Sequence, residues 1–334
     1  MIEDTRLANH YLKNINKWIV SKINKTVNSS FYNEIKWIWI FGDDELVIKK
    51  LSEKYPNLLM WQELDKEMWI IYLTSIVNLK KTDEFQHVFK TYSVKYPNDN
   101  EIKNYLPLAN YLYNLNQNNY KTSSSIFNML NLNESILKRL ILNAKSIAIV
   151  GNGSAHLNKG LGKTIDNHDL VIRFNNFKTD GFENDYGCKT NIWVRGCASN
   201  DLTPPKDIEN IDFVVFSADY MHFKVHYDDL EYMQSLIEKG IKITNLNTST
   251  HVGIKKSSGI LFPTTGLLFI WYVYMVKKSI NNVSLFGFGF QSNSISIHNE
   301  HYFEKRNLGE AINRAKVHDM AIEAAFIYSL VSKK

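Results

Sequence analysis

The sequence predicts an α/β protein: a doubly wound, mostly parallel sheet preceded by an all-helical N-terminal domain. Two observations lead to this prediction. Residues 1 to about 140 carry apolar residues at helical spacing and few glycines, whereas from about residue 141 short β-branched runs alternate with helical stretches. Such alternation is typical of parallel sheets, because consecutive parallel strands are joined by crossover helices.

Helical spacing is clearest in two segments of the N-terminal part. The apolar residues of these segments are Leu46, Ile48, Leu51 and Tyr55, then Ile70, Leu73, Ile76 and Leu79. The alternation of helical segments and short breaks resembles tetratricopeptide-like helix pairs, although the sequence shows no clear repeat signature. We therefore predict a helical domain over residues 1–140, in which a packing role is favoured over a partner-binding role.

Six β-branched runs bounded by Gly, Asn or Asp are strand candidates in the C-terminal part. They are Ser146–Val150, Leu170–Phe174, Asn191–Arg195, Phe213–Phe216, Ile241–Thr244 and Val283–Phe286. The helix candidates among and after them are Tyr227–Lys239, Gly266–Lys278 and Leu308–Ser329. Composition changes near residues 133–143, which assigns residues 141–334 to the sheet domain.

Composition excludes several classes of function. The net charge of +5 is spread along the chain without a basic block, so we expect no nucleic-acid partner. Cys188 and Cys197 have no ligand spacing around them, which argues against a zinc site and a disulfide framework. The N-terminus lacks the pattern of a signal peptide, and the apolar run Gly266–Val276 is shorter than the roughly 20 residues of a membrane-spanning helix. A cytoplasmic protein is expected, at most peripherally bound to a membrane.

A glycine turn, Gly151-Asn152-Gly153, follows the first strand, and Asn175 follows the second. Both turns should lie at the carboxyl edge of the sheet, where open α/β proteins bind ligands. A dinucleotide site is disfavoured, because the third glycine of that fingerprint falls on His156 and no suitable acidic residue follows. Taken singly, each Asn could instead be an ordinary turn residue.

The segment Pro263-Thr-Thr-Gly266 opens the most apolar helix candidate. Either Thr264 or Thr265 can cap that helix, and the free amides of its first turn with the positive end of the dipole can attract an anion. Capping alone would also explain the threonines. The functional interpretation depends on this segment reaching the same sheet edge as the two asparagines.

Two histidines near the C-terminus, His301 and His318, can exchange protons near neutral pH. Either alone could be an ordinary hydrogen-bonded residue. On a helix, residues five positions apart point about 140° away from each other, so a direct dyad of His318 with Glu323 is not expected.

Four blocks of the chain occur in the order of the large, small, third and very small sialylmotifs of glycosyltransferase family 29. The blocks are residues 147–190, Pro263–Gly266 with Leu285–Gly289 behind it, His301–Tyr302, and His318 with Glu323. The chain resembles a bacterial member of that family over residues 145–330, and the resemblance leaves the helical N-terminal part unexplained.

The resemblance implies a Rossmann-like transferase domain of the GT-A-variant sialyltransferase type. Its donor would be a CMP-activated nine-carbon sugar acid, transferred with inversion and without a metal or other cofactor. Asn152 and Asn175 would contact the cytidine and phosphate portions of the donor, with Gly153 and Ser154 beside them. Thr265–Gly266 would close around the donor.

The later blocks imply the catalytic roles. His301, with Tyr302 beside it, would stabilise the departing CMP phosphate. His318 would be the general base that accepts the proton of the acceptor hydroxyl, and Glu323 would support it. Such residues suit a metal-free reaction, because hydrogen bonds from them and from helix-start amides can stabilise a phosphate anion. The adjacent pair Asp228–Asp229 is better interpreted as a solvated helix face than as a metal motif.

The sequence departs from the vertebrate members where a disulfide joins their large and small motifs. Ile147 and Lys277 stand approximately at those two places, which agrees with a reducing compartment. The acceptor implied is a bacterial surface glycan or glycolipid such as lipopolysaccharide or capsule, met in the cytoplasm or at the inner membrane.

Three alternatives remain at this stage. CMP-Kdo could replace CMP-Neu5Ac or CMP-legionaminate as the donor, since all three share the CMP ester and the α-keto acid. The sheet domain could be a non-catalytic nucleotide-binding module. The chain could also be a helical-repeat interaction protein whose sheet domain is a relic.

Overall fold

The computed structural model describes residues 30–40, 43–56, 64–79, 81–98, 120–196, 204–217, 227–260, 263–288, 300–305 and 318–332. The helices in chain order are α1 Ser30–Ile40, α2 Asp44–Lys54, α3 Lys66–Asn78, α4 Thr82–Lys95, α5 Tyr120–Asn143, α6 Gly162–Asp166, α7 Glu183–Tyr186, α8 Tyr227–Glu238, α9 Thr248–Ser258, α10 Thr265–Lys277 and α11 Met320–Ser332. The strands are β1 Ile147–Val150, β2 Leu170–Phe174, β3 Ile192–Arg195, β4 Phe213–Phe216, β5 Ile243–Asn245, β6 Val283–Phe286, β7 Glu300–His301 and β8 Glu304–Lys305.

The chain divides into two compact units. The first contains Met1–Asn128, Ala218–Tyr232 and Asn247–Leu261, and the second contains Met129–Ser217, Met233–Leu246 and Phe262–Lys334. These units do not coincide with domains 1–140 and 141–334. Helix α5 runs across the expected boundary, and two segments from the C-terminal part belong to the first unit.

The described N-terminal segments are helical, and α1 to α4 pack consecutively. Their apolar faces hold aromatic residues that also bond across helices. Trp39 Nε1 donates to Thr74 Oγ1 at 2.7 Å, and the rings of Trp69 and Tyr92 meet edge to face at 6.1 Å. The tetratricopeptide-like arrangement stays a prediction.

The second unit contains a six-stranded sheet in the order β5-β4-β3-β2-β1-β6, with every neighbouring pair parallel. Every residue of β1 to β4 is buried, as expected when helices cover both faces of a parallel sheet. The doubly wound fold is therefore confirmed. The six strands lie within two residues of their expected positions.

The winding direction reverses between β1 and β6. Strands β1 to β5 extend to one side, and β6 pairs with the other side of β1. Open α/β sheets bind ligands outside the carboxyl ends of the strands at such a switch point. Val150 pairs with Phe286 in the register, so the turns that begin at Gly151 and Gly287 leave the sheet side by side.

Helix α11 begins later than its apolar pattern indicates. The expected span was Leu308–Ser329, but His318 and Asp319 are not helical and the helix starts at Met320. The Asp319 carboxylate accepts from the backbone N–H groups of Ala321 and Ile322, at 3.2 and 3.1 Å, and thereby caps the first turn. Residues 308–317 of the expected helix lie outside the described residues.

Lys277, which ends α10, stands where the resemblance places one half of a disulfide. Its Nζ donates to the carbonyl oxygens of Ile141, Leu142 and Ala144, at 3.0, 3.2 and 3.1 Å. These carbonyls lie at the end of α5, where a cation interacts favourably with the helix dipole. Among the described helices, none has the length and apolarity needed to cross a membrane.

Candidate functional site

The turn after β1 is closed by backbone hydrogen bonds to the turn after β6. Gly151 N–H donates to Phe286 O and Gly153 N–H donates to Gly287 O, both at 2.7 Å. A Cβ at Gly151 would lie 2.8 Å from Gly287 O, so the two turns touch through their backbones. Because both glycine amides are used inside the fold, this turn does not offer them to a phosphate.

Asn152 links the ends of β1 and β2. Its Nδ2 donates to Phe174 O and to Asn176 O, each at 3.0 Å. Its Oδ1 is buried and has no hydrogen-bond partner in the described part of the chain. Asn152 therefore keeps an acceptor, but no donor, for a further contact.

Asn175 has the opposite arrangement. Its backbone is left-handed, with φ of 48°, and its Oδ1 accepts from Gly196 N–H at 2.6 Å. Trp193 Nε1 donates to its carbonyl oxygen at 2.9 Å. Within the described segments, no group accepts from Asn175 Nδ2, so this side chain keeps a donor.

Helix α10 begins at this same edge. Thr264 is its N-cap, with Oγ1 accepting from Leu267 N–H at 3.2 Å. A Cβ placed on Gly196 would lie 2.7 Å from Asn175 Oδ1 and 3.3 Å from Thr265 Oγ1, so these two side chains converge on Gly196. The backbone amides of Thr265 and Gly266 belong to the first turn, which leaves N–H groups without helical partners and carries the positive end of the dipole.

Glu323 of α11 holds the start of α10. Its two carboxylate oxygens accept from Thr264 N–H at 2.7 Å and from Thr264 Oγ1 at 2.6 Å. The side chain is buried, and burial raises the pKa of Glu323 to about 7. Both Glu323 oxygens are directed at Thr264. Because His318 lies outside the helix, the helical spacing behind the expectation of no His318–Glu323 dyad does not apply, and that expectation stays a prediction.

The His301–Tyr302 segment lies against the β1 turn. His301 forms an antiparallel bridge with Gly153, and Tyr302 N–H donates to Asn152 O at 2.9 Å. His301 Nδ1 is 2.9 Å from Glu304 Oε1.

Tyr302 is a buried residue that fastens the turn after β2. Its hydroxyl donates to Lys178 O and accepts from Lys178 N–H, at 2.5 and 3.1 Å. Its ring stacks on Tyr186 with centroids 3.9 Å apart, and burial raises the pKa of Tyr302. The hydroxyl is thus engaged by backbone, and Tyr302 acts on the site through position.

The structure brings together most of the residues expected at the site. Asn152, Gly153, His301 and Tyr302 are joined by backbone pairing, and Asn175 approaches Thr265 at Gly196. Ser154 begins a short 3₁₀ helix, Ser154–His156, one residue beyond Gly153. His318 lies two residues before α11, the helix whose Glu323 binds Thr264.

Sequence reasoning did not single out three contributors: Lys178, Tyr186 and Gly287. Lys178 acts through its backbone, whereas Tyr186 acts through its ring and through its hydroxyl, which donates to Gly153 O at 2.8 Å. The local sequence indicates neither contact. Gly287 lies within the Leu285–Gly289 block, and a glycine directly after a strand was the signal available in the sequence. Its φ of 68° and a Cβ position 2.1 Å from Gly151 O explain why glycine stands there.

A family model described as glycosyltransferase family 29 (sialyltransferase) matches residues 91–261 and 249–334. A mouse CMP-N-acetylneuraminate-beta-1,4-galactoside alpha-2,3-sialyltransferase is 26% identical over 217 residues, which is 58% of this chain and 57% of the mouse protein. A human CMP-N-acetylneuraminate-beta-galactosamide-alpha-2,3-sialyltransferase 1 is 26% identical over 219 residues, with 60% and 59% covered. The chain thus spans a little over half the length of these curated relatives.

Among solved structures, a mammalian sialyltransferase in complex with Gal-beta-1-3GalNAc-ortho-nitrophenol has a TM-score of 0.43 and 21% identity to this chain. The match covers 66% of this chain and 80% of that one.

Proposed function

Because the chain belongs to glycosyltransferase family 29, we propose that it transfers a sialic acid or related nonulosonic acid from a CMP-sugar to a hydroxyl group of a glycan. The observation that carries the proposal is the meeting of three motif segments at the switch point of the sheet. Asn152 pairs with the His301–Tyr302 segment, and Asn175 approaches the start of α10. This edge is the expected ligand position in an open parallel sheet.

The hydrogen-bonding capacities of the two asparagines suit different parts of CMP. Asn152 has only Oδ1 left, so it would accept from a ribose hydroxyl or from the cytosine amino group. Asn175 has Nδ2 left, so it would donate to a phosphate oxygen or to a base carbonyl. The amides of Thr265 and Gly266 would bind the phosphate at the positive end of α10.

The catalytic step of the proposal is an in-line displacement that inverts the sugar carbon. The acceptor oxygen forms the new bond, the bond to the CMP oxygen breaks, and CMP leaves as an anion. His318 takes the proton of the acceptor hydroxyl. His301 and the first turn of α10 stabilise the departing phosphate, with Tyr302 positioning the surrounding turns. Gly153 and Ser154 would shape the donor pocket.

We extend the proposal to a bacterial acceptor, a surface glycan such as lipopolysaccharide or capsule, modified in the cytoplasm or peripherally at the inner membrane. Support comes from Ile147 and Lys277, which stand approximately where the vertebrate members have the cysteines of their disulfide, and from the bonds of Lys277 to the end of α5. A fold that uses a lysine at this place does not depend on an oxidising compartment.

The experiment that tests the proposed function is a donor comparison with the purified chain. CMP release is measured for CMP-Neu5Ac, CMP-legionaminate and CMP-Kdo, each with and without a galactose-terminated acceptor. We expect release from at least one nonulosonate donor, accelerated by the acceptor. Preference for CMP-Kdo would select the alternative donor, and binding of CMP without release from any donor would favour the nucleotide-binding module. No binding of any CMP compound would reject the proposal.

Removal of divalent cations is expected to leave the transfer rate unchanged, because His301 and the α10 amides can stabilise the leaving anion. Initial rates are compared in excess EDTA, in buffer alone and with added Mg²⁺ or Mn²⁺. A loss of about tenfold or more in EDTA that added metal restores would contradict metal-free transfer.

Asn175→Asp is expected to weaken CMP binding by about tenfold or more, because it keeps the acceptor for Gly196 N–H but replaces the Nδ2 donor with an oxygen that repels phosphate. Aspartate also tolerates the left-handed backbone of this position. The matched control is Asn281→Asp, which adds the same charge before β6, at the opposite edge of the sheet. Calorimetric titration with CMP distinguishes the two, and equal losses in both variants would remove Asn175 as a direct contact.

A further inference from the structure

His156 is a histidine at the switch point that the proposed chemistry does not use. It is the last residue of the 3₁₀ helix Ser154–His156, after the β1 turn. Its Nδ1 accepts from Gly287 N–H at 2.8 Å. A ring nitrogen that accepts from an N–H carries no proton itself, so the ring is neutral with its proton on Nε2.

The bond from Gly287 to His156 is part of a closed set of contacts between the β1 and β6 turns. The other main-chain group of Gly287, its carbonyl, accepts from Gly153 N–H at 2.7 Å. Gly287 has φ of 68°, and a Cβ there would lie 2.1 Å from Gly151 O. The position of Gly287 is therefore fixed by His156 on one side and by the β1 turn on the other.

The surroundings of His156 hold the ring in place. The ring meets Phe286 edge to face at 5.9 Å. The N–H of His156 donates to the Tyr186 hydroxyl at 3.3 Å, and that hydroxyl donates to Gly153 O at 2.8 Å. His156 is thus linked to both turns. Its side chain binds Gly287 in the β6 turn, and its backbone N–H is linked to Gly153 in the β1 turn through the Tyr186 hydroxyl.

The titratable and charged groups around His156 come from three directions. Lys159 lies in the same turn, and Tyr186 and Asp185 belong to α7, with Asp185 accepting from the N–H groups of Asn158 and Gly160. His168 packs its ring on the same Phe286, at 5.8 Å, and bonds Ser284. Burial, and to a lesser extent Lys159, lowers the pKa of His156 below its ordinary value.

We propose that His156 is a positioning residue for the donor site, whose Nδ1 acts as the acceptor that locks the β6 turn against the β1 turn. Protonation of Nδ1 would place two donors face to face and would break the lock. The donor-binding consequence rests on the proposed function, whereas the lock itself does not. Acid would then weaken donor binding by releasing Gly287 from the edge where Asn152 and Gly153 lie.

The sign of the pH effect follows from the lowered pKa. Between the folded-state pKa of His156 and its ordinary value, the unfolded chain binds more protons, so stability rises with pH in that window. The lock is complete near neutral pH and opens as the pH falls through the folded-state pKa.

The test compares the wild-type chain with His156→Asn and His156→Leu. Asparagine can present Oδ1 at the position of Nδ1 and does not titrate, whereas leucine removes the acceptor. CMP binding is measured at about pH 7.5 and at a lower pH at which the ring resonances of wild-type His156 show that the ring is protonated; the titration of CMP itself is common to all three proteins. At the higher pH we expect His156→Asn to bind within about threefold of wild type and His156→Leu about tenfold more weakly. At the lower pH, wild type should lose about threefold more affinity than His156→Asn.

Equal CMP affinity of wild type and His156→Leu, or equal pH dependence of wild type and His156→Asn, would overturn the proposal. A second readout needs neither CMP nor a stable leucine variant. In ¹H–¹⁵N spectra of the wild-type ring at about pH 7.5, Nδ1 should be unprotonated and Nε2 protonated. A protonated Nδ1 would overturn the lock even if the chain binds CMP. Conversely, a chain that binds no CMP but shows this tautomer would reject the proposed function and retain the lock.

Discussion

Replacing His318 with alanine is expected to reduce the transfer rate by about 10²–10⁴-fold, the usual contribution of a general base. His318 lies just before α11, and Glu323 of that helix binds Thr264 at the start of α10. The proposed base is thereby carried by a segment anchored to the proposed phosphate site. Because the proposal assigns His318 to the acceptor hydroxyl and not to the donor, CMP affinity should stay within about threefold of wild type.

The measurement is the initial rate of transfer together with calorimetric titration of CMP. The control is His87→Ala, which removes an exposed histidine from α4 and should leave both quantities unchanged. An unaltered rate in His318→Ala would remove His318 as the base. Parallel losses of rate and CMP affinity would instead indicate a role in donor binding.

Glu323→Ala is expected to destabilise the second unit by about 2–4 kcal/mol and to weaken CMP binding. The substitution leaves Thr264 N–H and its hydroxyl without their acceptors and opens a cavity beneath the first turn of α10. The turn that offers the amides of Thr265 and Gly266 would lose its fixed position. Chemical unfolding followed by circular dichroism measures the free energy of unfolding. A change below about 0.5 kcal/mol would contradict a stabilising role for the hydrogen bonds of Glu323 to Thr264.

Glu323→Gln distinguishes the effect of the carboxylate charge from that of the hydrogen bonds to Thr264, because it removes the charge and keeps a similar side-chain shape. Burial raises the pKa of Glu323 to about 7 from 4.5, so the folded chain binds more protons than the unfolded chain between these values. The free energy of unfolding contributed by this group therefore falls as pH rises from 4.5 to about 7, by about 3 kcal/mol for a shift of this size. Glutamine resembles the protonated acid and does not titrate. The stability of Glu323→Gln relative to wild type should thus increase across that range, and a constant difference would contradict the raised pKa.

The strands could be predicted because local sequence determines them. Each is a short, mainly apolar run with Gly, Asn or Asp near its ends, and every residue of β1 to β5 is buried. The start of α11 could not be predicted from periodicity, because apolar residues continue the pattern through Ala311 and Ala315 and only the Asp319 cap ends it. A cap ends a helix through the hydrogen bonds of one side chain. A pattern of apolar spacing contains no information about such a bond.

The contacts that assemble the candidate site depend on residues far apart in the chain. Glu323 binds a threonine 59 positions away, and His156 accepts from a glycine 131 positions away. Nothing in the local pattern of either residue indicates its partner. Asn152 and Asn175 could be predicted, because a polar residue directly after a buried strand indicates the carboxyl edge of the sheet.

The most direct test of the donor site is a ¹H–¹⁵N NMR titration of the chain with CMP, with UMP in parallel. We expect CMP to perturb backbone amides of 151–156, 175–178, 264–267 and 287–288, and we expect UMP to bind more weakly. Perturbations confined to the opposite edge of the sheet near Asn281, or no perturbation by CMP, would contradict a donor site at the switch point between β1 and β6.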